Sequence, residues 1–235
     1  MEDKLANLVS RLQNAHPGKL VSVILYGSAA AGNHHAKFSD LNVMCVLTQV
    51  TPAELAASEP VFKWWRELGN PSPLLMSEME VQSSTDCFPI EFHDMQERRR
   101  VLYGKDVIEG LVIDRSFYRA QVEFELRSKL LRLRQKAAAV LTDKPALLRL
   151  MIESASTFCV LGRHALLLSG VESGFRKHET VGKLREAGLD SSALETLLDI
   201  RAEKKKPGEV EAGALFASYL TQIEGLVAHV DRLEK

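Results

Sequence analysis

The sequence is poor in cysteine, and its cysteines form no recognisable pattern. Cys45, Cys87 and Cys159 are odd in number, and no CxxC motif or Cys/His pair accompanies them. A disulfide framework and a structural zinc site are therefore both unexpected. All three cysteines sit in apolar sequence, which predicts buried free thiols in a reducing compartment. We accordingly expect a cytoplasmic protein.

Long apolar runs and an excess of one charge are also missing. No run approaches the roughly 18 uninterrupted apolar residues of a membrane span, so no membrane partner is expected. The first segment, MEDKLANLVSRLQ, is charged and amphipathic, unlike a signal peptide. The 30 basic and 31 acidic residues leave a formal net charge of −1. A protein that binds long nucleic acid usually has a basic excess, so no long nucleic acid is expected, although local basic patches could still serve a small phosphate ligand.

The pattern of apolar residues changes near residue 114. Before it, β-rich runs alternate with helical spacing; strands are expected over 21–26, 41–47, 74–76 and 88–93, and helices over 3–14 and 51–68. A short strand or turn is expected over 98–102. After residue 114 the spacing is helical throughout. The sequence thus predicts an α/β (α+β) domain with a short mixed sheet over residues 1–113. An all-α helical bundle that binds a substrate or a partner should follow over residues 114–235.

One group of residues carries the chemistry. Gly27 and Ser28 end the first predicted strand, and Asp40-Leu41-Asn42 follows after eleven residues at the start of the second. Residues two apart on a strand share a face, so Asp40 and Asn42 are expected to point the same way. Glu91, on the strand predicted over 88–93, is expected to lie alongside them. Oxygen ligands that converge from adjacent strands suit a hard divalent cation.

This arrangement resembles the nucleotidyltransferase fold of the DNA polymerase beta superfamily. That family has Gly-Ser, a spacer, Asp-x-Asp/Glu and a third carboxylate on a following strand; the resemblance covers about residues 20–95. The helical tail is similar to the bundle of kanamycin nucleotidyltransferase-like and HEPN-associated proteins. The resemblance implies that an NTP is the substrate and that Gly27 and Ser28 bind its phosphates. It also implies that Asp40, Asn42 and Glu91 hold Mg²⁺ or Mn²⁺, with Asp40 and Glu91 as the catalytic residues.

Position 42 departs from the family pattern, which has Asp or Glu there. The amide oxygen of Asn42 can ligate Mg²⁺ but carries no charge. Removing a charge about 4 Å from a divalent ion costs several kcal/mol gross, of which solvent and the phosphates of the nucleotide recover part. We therefore expect weakened catalysis, or nucleotide binding without catalysis.

Three functions remain open. The first is transfer of a nucleoside monophosphate from Mg-NTP to an unknown acceptor held by the bundle. The second is a catalytically inactive nucleotide-binding or protein-interaction module, antitoxin-like, whose bundle binds a partner protein. The third is aminoglycoside modification, which requires an acidic cleft; Glu123, Glu125 and Glu153 are the candidates to line it. The amphipathic bundle helices are compatible with a homodimer.

The first bundle helix carries a set of basic residues that admits two interpretations. Either these side chains form a solvated helix face, or some of them meet phosphates or an acidic substrate. Glu123 precedes Arg127 by four residues, which suits an intrahelical ion pair and favours the solvated face. The set comprises Arg127, Lys129, Arg132 and Arg134.

Overall fold

The computed structural model describes residues 1–30 and 41–233 of the chain. Contacts divide the protein into two compact units, Met1–Ser116 and Phe117–Lys235. The first unit contains a four-stranded sheet with helices, and the second contains helices with no strand among its described residues. The predicted fold class, an α/β domain followed by a helical bundle, is therefore confirmed.

The sheet of the first unit is mixed. Its order is β3-β2-β1-β4; β1 runs antiparallel to both β2 and β4, and β2 runs parallel to β3. The parallel strands β2 and β3 are joined by a crossover through α2. The elements are α1 (Glu2–Ala15), β1 (Leu20–Tyr26), β2 (Asn42–Leu47), α2 (Pro52–Glu67), β3 (Leu74–Ser77), α3 (Glu78–Ser83), α4 (Pro89–Glu97) and β4 (Arg99–Gly104).

Each face of the sheet is covered by its own hydrophobic core. Successive residues of a strand point to opposite faces, so β1 and β2 contribute to both cores. On one face, α1 and α2 pack with Leu8, Trp65 and their neighbours against Val23 and Cys45. On the other face, α3, α4 and the segment after β4 pack against the alternate strand positions. That second core comprises Ile24, Met44, Val46, Met76, Val81, Phe92, Met95 and Ile108.

Local sequence rules explain where α2 begins. The Thr51 side chain accepts a hydrogen bond from the Ala53 amide, while the Glu54 carboxylate accepts from the Thr51 amide, which makes a capping box. Pro52 occupies the first helical turn, where its missing N–H costs nothing. The helix continues through Pro60 without a break.

The strand predicted over residues 88–93 is wrong. This segment is the start of α4, with Pro89 in its first turn and with Ile90, Phe92 and Met95 buried. Apolar alternation over so few residues does not separate a strand from a helix, and Pro89 is well suited to the first turn of the helix. The last strand of the sheet lies further along, at β4, where a short strand or a turn was expected.

The second unit is a bundle in which one long helix is central. Its elements are α5 (Tyr118–Ala138), α6 (Lys144–Leu168), α7 (Lys177–Glu186), α8 (Ser192–Arg201) and α9 (Ala212–Arg232). Helix α6 packs against each of the other four. By length and hydropathy alone, α6 is the one helix among the described residues that would suffice to cross a membrane. A helix with neighbours on several sides is apolar for that reason, so this is weak evidence for a membrane span.

The three cysteines differ in their surroundings. Cys45 and Cys159 are buried free thiols, as expected, and burial raises the pKa of each to about 12. Cys87 is exposed, so the prediction of burial is wrong for this residue. It lies just before α4, in the segment whose structure was predicted incorrectly.

Candidate functional site

The Gly27-Ser28 pair lies where β1 ends. The chain leaves the strand in a short 3-10 turn over Gly27–Ala29, and the Ala30 amide donates to the Gly27 carbonyl at 3.2 Å. Gly27 has φ of +78°, a left-handed conformation that glycine adopts without strain. A Cβ at this position would lie 3.5 Å from the Asn42 Nδ2 atom. The structure therefore brings Gly27 and the side chain of Asn42 together.

Asn42 is the first residue of β2, and its position in the sheet fixes its direction. It stands opposite Tyr26 in the antiparallel register of β1 and β2. Met44 and Val46, which share its face of the strand, belong to the core beneath α3 and α4. The half-buried Asn42 side chain thus lies on the α4 face of the sheet, at the end where the Gly27 turn begins.

Glu91 reaches the same region from a helix. It lies in the first turn of α4, is exposed, and its neighbour Phe92 packs in the core that Tyr26 borders. Burial raises the pKa of the Tyr26 phenol, and the negative charge of Glu91 raises it further, which places Glu91 within electrostatic range of Tyr26. The helix dipole favours a carboxylate at this position. Tyr26 therefore stands opposite Asn42 in the sheet and is within electrostatic range of Glu91.

Glu91 lies on a helix, so the geometry expected for the third carboxylate was wrong. A third carboxylate on a neighbouring strand was expected, and the carboxylate instead comes from the start of a helix that covers the sheet. Two residues after Glu91 on the same helix, the His93 Nδ1 atom lies 3.4 Å from the carboxylate of Glu97.

The predicted metal ligands are only partly described. Asp40 lies outside the described residues, so its part in a metal site stays a prediction. The two described ligands, the Asn42 amide and the Glu91 carboxylate, offer the oxygen donors that Mg²⁺ prefers. They are on the same face of the sheet. The chemistry of this donor set therefore fits the ion.

A second polar group, in the bundle, was not anticipated from the sequence. The Ser156 hydroxyl oxygen accepts hydrogen bonds from the Lys177 ammonium and from the Arg201 guanidinium, each at 2.7 Å. We call these three residues the cation cluster. Burial lowers the pKa of Lys177, and the nearby positive charge of Arg201 lowers it further. The three residues come from α6, α7 and α8 and are far apart in sequence, so no spacing could reveal them.

Three of the four basic residues that were singled out on α5 form ion pairs. Arg127 pairs with Glu123 at 2.7 Å, as its spacing predicted, and also lies 3.6 Å from Asp231. Of the others, Lys129 pairs with Glu125 at 3.4 Å, and Arg134 pairs with Glu224 at 2.5 Å. These pairs favour the solvated helix face.

The same ion pairs involve carboxylates that were expected to line the acidic cleft required for aminoglycoside modification. Glu123 also accepts from Arg119 at 2.7 Å, so two of the three carboxylates proposed to line the cleft, Glu123 and Glu125, are neutralised within their own helix. Glu153 is exposed on α6.

Comparison with known proteins identifies the fold. No family model matches the chain, and no curated protein matches it. Among solved structures, spectinomycin adenyltransferase AAD(9) from Enterococcus faecialis, solved with ATP and spectinomycin, is similar along almost its whole length. The match covers 97% of this chain and 98% of that one, with a TM-score of 0.59 and 13% identity. A toxin-antitoxin structure with AMP-PNP matches 59% of this chain and 96% of that one, with 16% identity and a TM-score of 0.32.

The similarity to the adenyltransferase extends across both units, and it defines the class of fold. This chain has a nucleotidyltransferase fold followed by a helical bundle, as the resemblance at residues 20–95 implied.

Proposed function

We propose that this protein is a nucleotidyltransferase that transfers a nucleoside monophosphate from Mg-NTP to a hydroxyl-bearing acceptor. The observation that carries the proposal is the left-handed Gly27 turn at the end of β1, packed against the Asn42 side chain. The fold shared with an adenyltransferase that was solved with ATP supports it. The acceptor of that protein, spectinomycin, is one candidate class for this chain.

Each residue of the site has a role under this proposal. Gly27 has no side chain, so its backbone can approach the phosphates of the nucleotide, and Ser28 adds a hydroxyl donor. Asp40, Asn42 and Glu91 would hold Mg²⁺, which when bound neutralises charge on the phosphates. Glu91 accepts the proton of the attacking hydroxyl. A bond then forms between the acceptor oxygen and the α-phosphorus while the bond to pyrophosphate breaks, so catalysis is mainly positioning and charge stabilisation.

The cation cluster adds a phosphate-binding feature in the bundle. Lys177 and Arg201 point their positive groups at one neutral oxygen, the Ser156 hydroxyl. A phosphate oxygen carries negative charge and offers several acceptor sites, so it satisfies both donors better than a hydroxyl does. We propose that the cation cluster binds a phosphate group.

A second candidate function rests on Asn42. If its uncharged amide leaves Mg²⁺ too weakly held for transfer, the fold would serve as a nucleotide-binding or protein-interaction module. The two functions predict different behaviour for an added carboxylate. Asn42→Asp would raise Mg²⁺ affinity in both cases, but it would create a transfer activity only where the rest of the site is competent.

The test is a calorimetric titration of the full chain with each NTP, with and without Mg²⁺, followed by a transfer assay with labelled NTP. We expect metal-dependent binding, lost or much weakened in Asp40→Ala and strengthened in Asn42→Asp. Lys183→Ala, on the surface of the bundle, is the control and should leave binding unchanged. No NTP binding at millimolar concentration would refute the proposal, and binding without transfer even in Asn42→Asp would favour the second function.

A further inference from the structure

Arg99 begins β4 in a row of residues that crosses the sheet at the end where the candidate site lies. In the antiparallel register, Tyr26 of β1 stands between Asn42 of β2 and Arg99 of β4. Residues paired across antiparallel strands have their side chains on the same face, so Arg99 shares the α4 face with Asn42. Val101, two residues along β4, packs in the core of that face, which agrees with this direction. The backbone of Arg99 is therefore two strand spacings, or about 10 Å, from that of Asn42.

The Arg99 side chain leaves the sheet and holds the C-terminal end of α4. Its Nη1 atom donates to the Gln96 carbonyl at 2.6 Å and to the Met95 carbonyl at 3.4 Å. The last four carbonyls of a helix have no partner within the helix, and a cation at that end also complements the helix dipole. Arg99 therefore stabilises the last turn of α4 both by hydrogen bonds and by its charge.

Asp106 fixes the direction of the Arg99 side chain. The Arg99 Nε atom lies 2.9 Å and 2.8 Å from the two carboxylate oxygens of Asp106. One of these oxygens also accepts from the Ile108 amide at 3.1 Å, and Ile108 is fully buried in the core that α4 covers. The two side chains are only 18% and 24% exposed, so salt screens this pair less than it screens a pair on the surface. The guanidinium is thus held between an anchored carboxylate and the end of α4.

Helix α4 carries Glu91 five residues before the Gln96 carbonyl that Arg99 holds, a distance of about 7.5 Å along the helix axis. The helix has nine residues, a length at which a helix depends on its contacts for stability. Phe88, at the N-cap, has no side-chain oxygen that could cap the end where Glu91 lies. A shift at the C-terminal end of so short a helix moves the whole helix, and Glu91 moves with it.

We propose that Arg99 is a positioning residue for Glu91, with Asp106 as its anchor. The backbone of Arg99 lies in one row with Asn42, and its side chain holds the helix that carries Glu91. Arg99 therefore sets the separation of these two predicted Mg²⁺ ligands. The role rests on the proposed function, in which Glu91 helps to hold the ion and accepts the proton of the attacking hydroxyl. Arg99 itself touches neither the nucleotide nor the ion, and it acts through Glu91.

A double-mutant cycle between Arg99 and Glu91 tests this role, with calorimetric titration of the full chain by ATP, with and without Mg²⁺. Arg99→Gln should weaken binding of MgATP about fivefold because Glu91 is displaced, and Arg99→Lys, which keeps a cationic donor, should lie between it and the wild type. In the Glu91→Gln background, Arg99→Gln should cause no further weakening, since its effect passes through Glu91. Binding of ATP without Mg²⁺ should not respond to Arg99→Gln, and melting temperatures verify that all variants fold.

The neighbouring arginine supplies a matched control. Arg100 also pairs with a carboxylate, that of Glu2 on α1 at 3.1 Å, but it points to the opposite face of β4. Arg100→Gln removes the same charge and should leave MgATP binding unchanged. Equal weakening by Arg99→Gln with and without Glu91, or equal weakening by Arg100→Gln, overturns the positioning role and leaves the proposed function standing. A wild-type chain that binds no MgATP refutes the proposed function, and the role of Arg99 falls with it.

Discussion

Each unit of this protein contains a polar cluster inside its packing, and the two clusters are balanced differently. In the first unit, the His16 Nε2 atom lies 2.9 Å from the Ser58 hydroxyl, which donates to the Glu54 carbonyl. The Glu54 carboxylate accepts from Lys19 at 2.6 Å and from the backbone of Thr51, and these bonds lower its pKa to about 2. Donors and acceptors are matched, and one negative charge meets one positive charge. We call this the balanced cluster.

The cation cluster of the bundle is arranged differently, because two cationic groups meet at one hydroxyl. Lys177 and Arg201 share the single oxygen of Ser156; burial lowers the pKa of Lys177, and the nearby charge of Arg201 lowers it further. A matched buried network serves stability, since removal of any member leaves a partner unsatisfied. Convergent like charges reduce stability unless an anion binds between them. The comparison teaches that the two clusters differ in the groups that meet: an acid meets a base in the balanced cluster, and two bases meet at a hydroxyl in the cation cluster.

The largest expected effect comes from breaking the balanced cluster. Because the Ser58 hydroxyl already donates to Glu54, the His16 Nε2–H is the donor to Ser58. His16→Ala removes that donor and leaves a cavity at a buried position, so the free energy of unfolding should fall by roughly 2 kcal/mol. Chemical denaturation of the full chain measures it, with Lys63→Ala on the exposed side of α2 as control. Equal stability of the variant and the wild type would show that the cluster is not structural.

Removing a charge from the cation cluster should not lower the stability of the protein, in contrast to His16→Ala. Lys177→Met removes a partly buried charge beside Arg201, so stability should stay the same or rise. Affinity for pyrophosphate should fall about tenfold because one charge-assisted hydrogen bond is lost. Calorimetry with pyrophosphate and a thermal melt give the two readouts, and Lys183→Met, an exposed lysine paired with Glu186, is the control. A lower melting temperature with unchanged affinity would assign the cluster a structural role.

Local rules predicted much of the first unit. The apolar runs that became β1 and β2, the capping box at Thr51 and Glu54, and the Gly27 turn are encoded by residues close together in sequence. Trp64 and Trp65 also follow from helix geometry: adjacent residues cannot share a face, and Trp65 is fully buried while Trp64 is partly exposed beneath Arg11.

Features that depend on tertiary contacts escaped prediction. Ile90 and Phe92 fit a strand as well as a helix, and only packing against the sheet decides between them. The cation cluster joins three helices through Ser156, Lys177 and Arg201, with no local pattern. Within the candidate site, Gly27 follows β1 and Asn42 begins β2, as predicted, but Glu91 lies on a helix where a strand was expected.

The smallest expected effect is a pH dependence that comes from the balanced cluster. Burial lowers the pKa of His16 below its ordinary value of 6.5; Glu54 opposes this shift, and Lys19 adds to it. Between the folded and unfolded pKa values the unfolded chain binds more protons, so stability rises with pH across that window. The contribution of His16 to stability is fully present above its pKa in the unfolded chain. It is lost as the pH falls toward the lower pKa of His16 in the folded protein.

A second histidine, His229, allows the pH dependence due to His16 to be separated from that of the rest of the protein. His229, in the bundle, also has a pKa lowered first by burial and then by Arg232, so both units should lose stability on acidification. Melting temperatures measured from about pH 7.5 to 5.5 should fall less steeply in His16→Gln than in the wild type, since glutamine keeps a donor but does not titrate. His229→Gln should flatten the remaining slope. If His16→Gln has the same slope as the wild type, the histidine of the balanced cluster does not titrate differently on folding, and its role is confined to the hydrogen bond with Ser58.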